Sequence, residues 1–309
     1  METEDKVQDR LAIFVQMSIR AARAVSYLRR IGSQPPICDS HRHLGELPPA
    51  RFYDLPEEIV PARGAAASVA DLLRNLDEEG TERALVMPNY GVPDAEVSFA
   101  LNDLVLEATT TDERISCALW VSPKPGDAER TERALSLAGE RGVRALKTTF
   151  LLGGAPDDPD CAPQLDRIFA VAEEHDLVVH IHTSPGAASD IDRIAHLIDR
   201  HGDRVAIHLV HLGGGVSGHI KLVGGRFFDW IEQGKRVYTD ASWAIGFAPR
   251  WLAAEIERRG IGHDRVLFAS DEPWSDRPGE LARMSAAVGD GELARHVFHD
   301  NYAALYERT

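Results

Sequence analysis

The sequence predicts a (β/α)8 barrel of parallel strands, preceded by a helical extension. Two observations predict it. From residue 37 onward, short apolar runs alternate with amphipathic stretches, eight of the former in all. Several of those runs end on a histidine or an aspartate, at the strand ends where such a barrel gathers its functional groups.

Residues 3–31 come first. Val7, Leu11, Phe14, Val15, Ile19, Ala22, Val25 and Leu28 recur at roughly helical spacing with arginines between them. This predicts a helix ending at Gly32, before Pro35-Pro36, and divides the chain into an extension over 1–36 and a barrel over 37–309. Its apolar face suits either the barrel floor or a contact between copies of the chain, so a homo-oligomer through residues 3–31 is one expectation.

The expected strands are 37–43, 83–88, 115–121, 143–149, 177–182, 205–211, 236–241 and 265–271. Helices are expected over 68–79, 95–110, 127–140, 163–175, 189–201, 224–233 and 249–259. No Gly-rich phosphate fingerprint follows any strand, and Gly213-Gly214-Gly215 reads as a tight turn beside the site. Two Pro- and Gly-rich inserts, Leu44–Ala67 and 151–162, fall on the same barrel face and suit a lid.

Composition narrows the partners. The chain has 309 residues and a formal net charge of −15, which argues against nucleic acid and anionic membranes. The start is acidic and no apolar run reaches spanning length, so neither a signal peptide nor a membrane helix is expected. Cys38, Cys117 and Cys161 are far apart and odd in number, as for buried free thiols in a reducing cytoplasm.

Strand alternation then selects the site. His41 and His43 share a face with Asp39, while Cys38 and Arg42 alternate away. Two imidazoles at i and i+2 can chelate one ion, and Asp39 could accept a supporting hydrogen bond. On the fifth strand His182 lies nearer the active end and His180 one layer deeper. On the sixth, Val205, Ile207, Leu209 and His211 share one face, leaving His208 with a structural role. Asp271 closes Val266-Leu267-Phe268-Ala269-Ser270, where a carboxylate can hold a metal and accept a proton. Glu272 points elsewhere. Lys147 lies inward on strand four; it could bind a substrate anion, carry a carbamate bridging two metals, or pair with an acid. Asn89 and Trp243, on loops at the same end, are the further candidates for contacting a small-molecule substrate.

The segments Asp39-Ser40-His41-Arg42-His43-Leu44-Gly45, Val179-His180-Ile181-His182-Thr183, Val210-His211-Leu212-Gly213-Gly214 and Ala269-Ser270-Asp271-Glu272-Pro273 together resemble the amidohydrolase superfamily, in its amidohydrolase-2 branch. The ending Asp300-Asn301-Tyr302-Ala303-Ala304-Leu305-Tyr306 looks similar too, and the resemblance spans residues 37–308. It implies one divalent metal held by His41, His43, His182 and Asp271, with His211 acting on the substrate or binding a second ion. Zinc is the first expectation; manganese, iron or cobalt also suit a nitrogen/oxygen ligand set. The family often has an aromatic residue where Glu272 stands, and residues 1–36 lie outside its usual pattern.

The resemblance implies two reactions. Hydrolysis of an amide, lactone or ester by metal-activated water leads, because a metal, a proton carrier and a polarising group are all expected. Non-oxidative decarboxylation of a small acid is the alternative, and cations able to grip its carboxylate are few. A catalytically silent binding or scaffold barrel is a third reading, disfavoured by the full set of ligand residues.

Overall fold

The computed structural model of the protein describes residues 36–46, 65–89 and 96–307. The helix expected over 3–31 lies outside them, as does most of the Leu44–Ala67 insert.

Eight strands form one parallel sheet in sequence order: β1 (Ile37–Leu44), β2 (Thr81–Pro88), β3 (Ile115–Trp120), β4 (Val143–Thr148), β5 (Val178–His182), β6 (Ile207–Val210), β7 (Val237–Asp240) and β8 (Val266–Leu267). The seam between β8 and β1 closes the barrel largely with residues beyond β8. The Ser40 N–H donates to Phe268 O at 2.9 Å, and at 2.8 Å the Asp271 N–H donates to His41 O and the His43 N–H to Glu272 O. The (β/α)8 architecture read from the sequence is present.

Helices α1 (Val69–Glu79), α2 (Glu96–Ala100), α3 (Asn102–Thr111), α4 (Ala128–Leu135), α5 (Ala162–Glu174), α6 (Ile191–His201), α7 (Gly215–Lys221), α8 (Phe227–Glu232), α9 (Ala248–Arg259), α10 (Arg277–Val288), α11 (Glu292–Arg295) and α12 (Asn301–Tyr306) connect and cover the strands. Local chemistry sets several of their ends. Ser68 and Asp71 make a reciprocal capping box at α1, and Gly80 ends that helix at φ 64°. Asp190 and Asp276 cap α6 and α10 through their carboxylates. The single helix expected over 95–110 is two, α2 and α3, joined at Leu101. No helix among the described residues is long and apolar enough to cross a membrane.

Alternation misplaced three residues: Cys38, His208 and Asp39, which pairs with Ala84 and so shares the face of Arg42 and not of His43. The pairing of β1 with β2 shifts register between Asp39 and Arg42. Cys38, expected opposite the histidines, therefore packs with Leu85, Ala118, Ala145, Val178 and Tyr302 in a cluster drawn from strands around the barrel. His208 pairs in register with His180, and His180 with Lys147. Those three side chains form one row, so His208 shares a face with His180. All three cysteines are buried free thiols.

Candidate active site

β1 is buried along all eight residues and carries His41 and His43 to the site. Their Nε2 atoms lie 3.1 Å apart, and each is 3.1 Å from Asp271 Oδ1. The His43 Nδ1 lies 2.9 Å from Pro88 O. A carbonyl only accepts, so Nδ1 carries a proton, and Nε2 is turned towards the position that an ion shared with Asp271 would take.

Two site residues come from turns. β6 ends at Val210, and His211 enters the site on a turn with φ 67°, so strand alternation does not place it. Asp271 lies four residues past β8 with φ 55°, outside the strand that the sequence extended to it. His211 Nε2 is 3.8 Å from Asp271 Oδ2, and the Trp243 indole N–H donates to that same oxygen. One Asp271 oxygen thus faces β1 and the other faces His211. His41, His211 and Asp271 form a group whose ligand atoms lie within 4.8 Å of one another. The His182 ring meets the His211 ring edge-on, centroids 4.8 Å apart.

Burial sets the protonation states. It holds the His41, His180 and His182 imidazoles well below their ordinary value, with the Lys147 charge adding to the effect. Neutral imidazole is the form that binds a metal. Lys147 is itself pushed down to about 8 by burial, against the pull of Asp271 and Asp240. Its Nζ lies 3.2 Å from His180 Nδ1 and 3.5 Å from His41 Nε2, so it contacts imidazole nitrogens and not an acid.

These donors fit a divalent ion. Atoms about 2.1 Å from a metal, set at octahedral or tetrahedral angles, stand roughly 3.0–3.4 Å apart. The spacings among His41, His43 and Asp271 fall in that range.

A cavity of about 400 Å³ opens above, lined by His182, Thr183, Ser184, Pro185, His211, Gly214, Gly215, Trp243, Asp271 and Trp274. Trp243 is therefore placed in the wall. Asn89 is buried and held elsewhere: its amide donates to Gly45 O at 2.6 Å, and its oxygen accepts the Trp274 indole N–H at 3.1 Å. Lys147 lies below the cavity, not on its wall. Glu272 does point away from the site. It pairs with buried Arg42, and burial pushes it up to about 7 despite that partner.

Sequence reasoning missed Trp274 and Asp240, and gave Ser242 no role of its own. Asp240 carries no local signal beyond its place at the end of β7.

The amidohydrolase family Amidohydro_2 matches residues 38–308, nearly the whole barrel. This chain belongs to the amidohydrolase family. No curated protein sequence matches it significantly. Among solved structures, a 2,6-dihydroxybenzoate decarboxylase from Rhizobium is 17% identical, with TM-score 0.63 over 88% of this chain and 98% of that one. A dihydroxybenzoic acid decarboxylase from a Polaromonas species, with bound manganese and the inhibitor 2-nitroresorcinol, is 15% identical, with TM-score 0.64 over 89% and 98%. A probable 2-pyrone-4,6-dicarboxylic acid hydrolase from Acinetobacter baumannii, with citric acid bound, is 13% identical, with TM-score 0.58 over 89% and 100%. At such identities the likeness concerns the fold of this amidohydrolase alone.

Proposed function

We propose that this amidohydrolase is a metal-dependent, non-oxidative decarboxylase of a small planar carboxylic acid. The observation that carries the reading is the cavity itself, walled by the indoles of Trp243 and Trp274 and reaching Asp271, His211 and His182. Those walls suit an unsaturated ring. Among the described residues the lining includes no lysine or arginine, which leaves the grip on a carboxylate to a metal. Both dihydroxybenzoate decarboxylases and a probable pyrone hydrolase share the fold, so decarboxylation fits at least as well as the hydrolysis that the sequence put first.

We assign one divalent ion to His41, His43, His182 and Asp271, with zinc or manganese both compatible. Bound there, it supplies positive charge and a Lewis-acid position for substrate oxygens. The chain's own groups do the rest. The indole walls strip water from the carboxylate, which favours a transition state with more dispersed charge. Asp271 Oδ2, on the cavity side, is placed to hand a proton to the ring carbon as CO2 leaves. The Trp243 N–H fixes that oxygen. The proton that Asp271 gives up is restored from water entering the cavity, and His211 Nε2, beside it, turns its lone pair to the substrate.

Hydrolysis of a lactone or ester is the second reading. It is favoured by His211, whose ring is braced through Ser242 as a proton carrier for a leaving group would be. One experiment separates them. Protein loaded with zinc or manganese is offered a panel of hydroxybenzoates and, separately, of lactones and esters, with CO2 and titratable acid both measured. We expect CO2 from at least one aromatic acid, and none from the Asp271→Asn variant. Ring opening or ester cleavage without CO2 from any acid would transfer the assignment to hydrolysis.

A further inference from the structure

Beneath His211, a line of buried polar groups descends to the last helix. Tyr306 OH lies 2.8 Å from His208 Nδ1, and His208 Nε2 lies 3.0 Å from Asp240 Oδ2. Asp240 Oδ1 is 2.5 Å from Ser242 Oγ, which is 2.8 Å from His211 Nδ1. Every residue in the line is buried.

We propose that Asp240 is a positioning residue that locks His211 in its Nδ1–H form and turns the Nε2 lone pair to the reacting atoms, with His208 and Tyr306 holding Asp240 from below. The role rests on the reading of His211 as a reacting group.

The direction of each bond follows from what its partners can do. Asp240 is buried, yet the His208 hydrogen bond and the neighbouring imidazoles hold its carboxyl below the ordinary value, so it is an acceptor only. The Ser242 hydroxyl must therefore spend its one proton on Asp240, and its oxygen accepts from His211 Nδ1–H. Ser242 O, 3.2 Å from the same nitrogen, can also only accept. Below Asp240, His208 must donate from Nε2, which leaves its Nδ1 to accept the Tyr306 hydroxyl proton. Donors thus converge on Asp240 from both sides. Such a line holds tautomers fixed and does not pass protons from Tyr306 to the site.

Asp240 also fixes the backbone at both ends of the brace. Its Oδ1 accepts the Ser242 N–H at 2.9 Å and the His211 N–H at 3.3 Å, beside the left-handed turn at His211. The next residue, Trp243, supplies the cavity wall and the Asp271 hydrogen bond. One carboxylate therefore orients the imidazole and anchors the segment that carries the indole.

The test uses the full chain, zinc-loaded and labelled with 15N-histidine. Ring nitrogen spectra are assigned by signals lost in His208→Gln and His211→Asn. In the unmutated protein we expect His211 as Nδ1–H and His208 as Nε2–H; either one reversed overturns the proposal. In Asp240→Asn, an amide offers one acceptor oxygen for two donors, so at least one of the two rings must reverse. Both rings unchanged in a folded variant would also overturn it. With a turned-over substrate, Asp240→Asn should lose about 10- to 100-fold in kcat, with KM nearly unchanged. The nitrogen spectra need no substrate, so their outcome stands apart from the reaction assigned above.

Discussion

Asp39 grips Ser270 with both carboxylate oxygens: the Ser270 N–H donates at 2.9 Å and its hydroxyl at 2.6 Å. The sequence suggested that Asp39 would support a metal-binding histidine. Its Oδ1 also accepts the His41 N–H at 3.3 Å, and its bonds to Ser270 add a second support across the seam, next to Asp271. Asp39 and Asp271 are thus two carboxylates with separate duties, one holding the backbone and one facing the cavity.

If His41 and His43 hold the ion, the double variant His41→Ala/His43→Ala should carry almost no divalent metal where the unmutated protein carries about one per chain. Elemental analysis after dialysis measures it. Chelation should also lower the melting temperature of the unmutated protein, because an ion that binds only the folded state stabilises it. Undiminished metal in the double variant would refute the ligand assignment.

Buried Arg42 holds Glu79 at 2.5 and 3.0 Å through its two terminal nitrogens, and it also pairs with Glu272. Arg42→Met should cost about 3–5 kcal/mol, because it strands two acids against each other. Adding Glu272→Gln to that variant should recover part of the loss. Chemical denaturation reads both, and a loss below about 1 kcal/mol in Arg42→Met would count against a buried network here.

His201, the last residue of α6, is stacked on Phe169 with ring centroids 4.0 Å apart. Burial, helped by the Arg200 charge, pushes its imidazole down from 6.5 to about 4. Between those values the unfolded chain holds a proton that the folded chain does not, so stability falls as pH drops from 6.5 towards 4. The contribution is on the order of 1–3 kcal/mol. His201→Phe should flatten the melting temperature against pH across this window, and an unchanged slope would remove His201 from the acid sensitivity.

Gly214 sits at φ 73° where the loops after β5 and β6 meet, and a Cβ there would come within 2.4 Å of Ser184 Cα. Gly214→Ala must move backbone on the cavity wall. We expect a loss of at least about 2 kcal/mol, and a lowered melting temperature without loss of the barrel's circular dichroism.

Alternation within regular strands made the fold and the His41–His43 pair legible in the sequence. It failed where the chain leaves regular geometry. The register shift in β1 brings Cys38 inside, and the left-handed turn at His211 carries that ring to the site from beyond its strand. Asp240 was illegible for another reason. Its importance comes from partners 32 and 2 residues away, His208 and Ser242, whose convergence depends on how neighbouring strands align. The hydrogen bond from Trp274 to Asn89 spans 185 residues and left no local mark either.

The seam between β8 and β1 has a consequence for the nascent chain. His43 and Asp271 meet across 228 residues, and neither half of the barrel holds all of the ligands proposed above. A growing polypeptide exposes the His41–His43 pair early, but it has no aspartate to close the chelate until the eighth strand has emerged and crossed back to the first. A tight ion site therefore waits for the ring to shut. If these residues hold the ion as proposed, metal capture comes at the end of assembly, and a truncated chain lacking the last strand should bind no ion firmly.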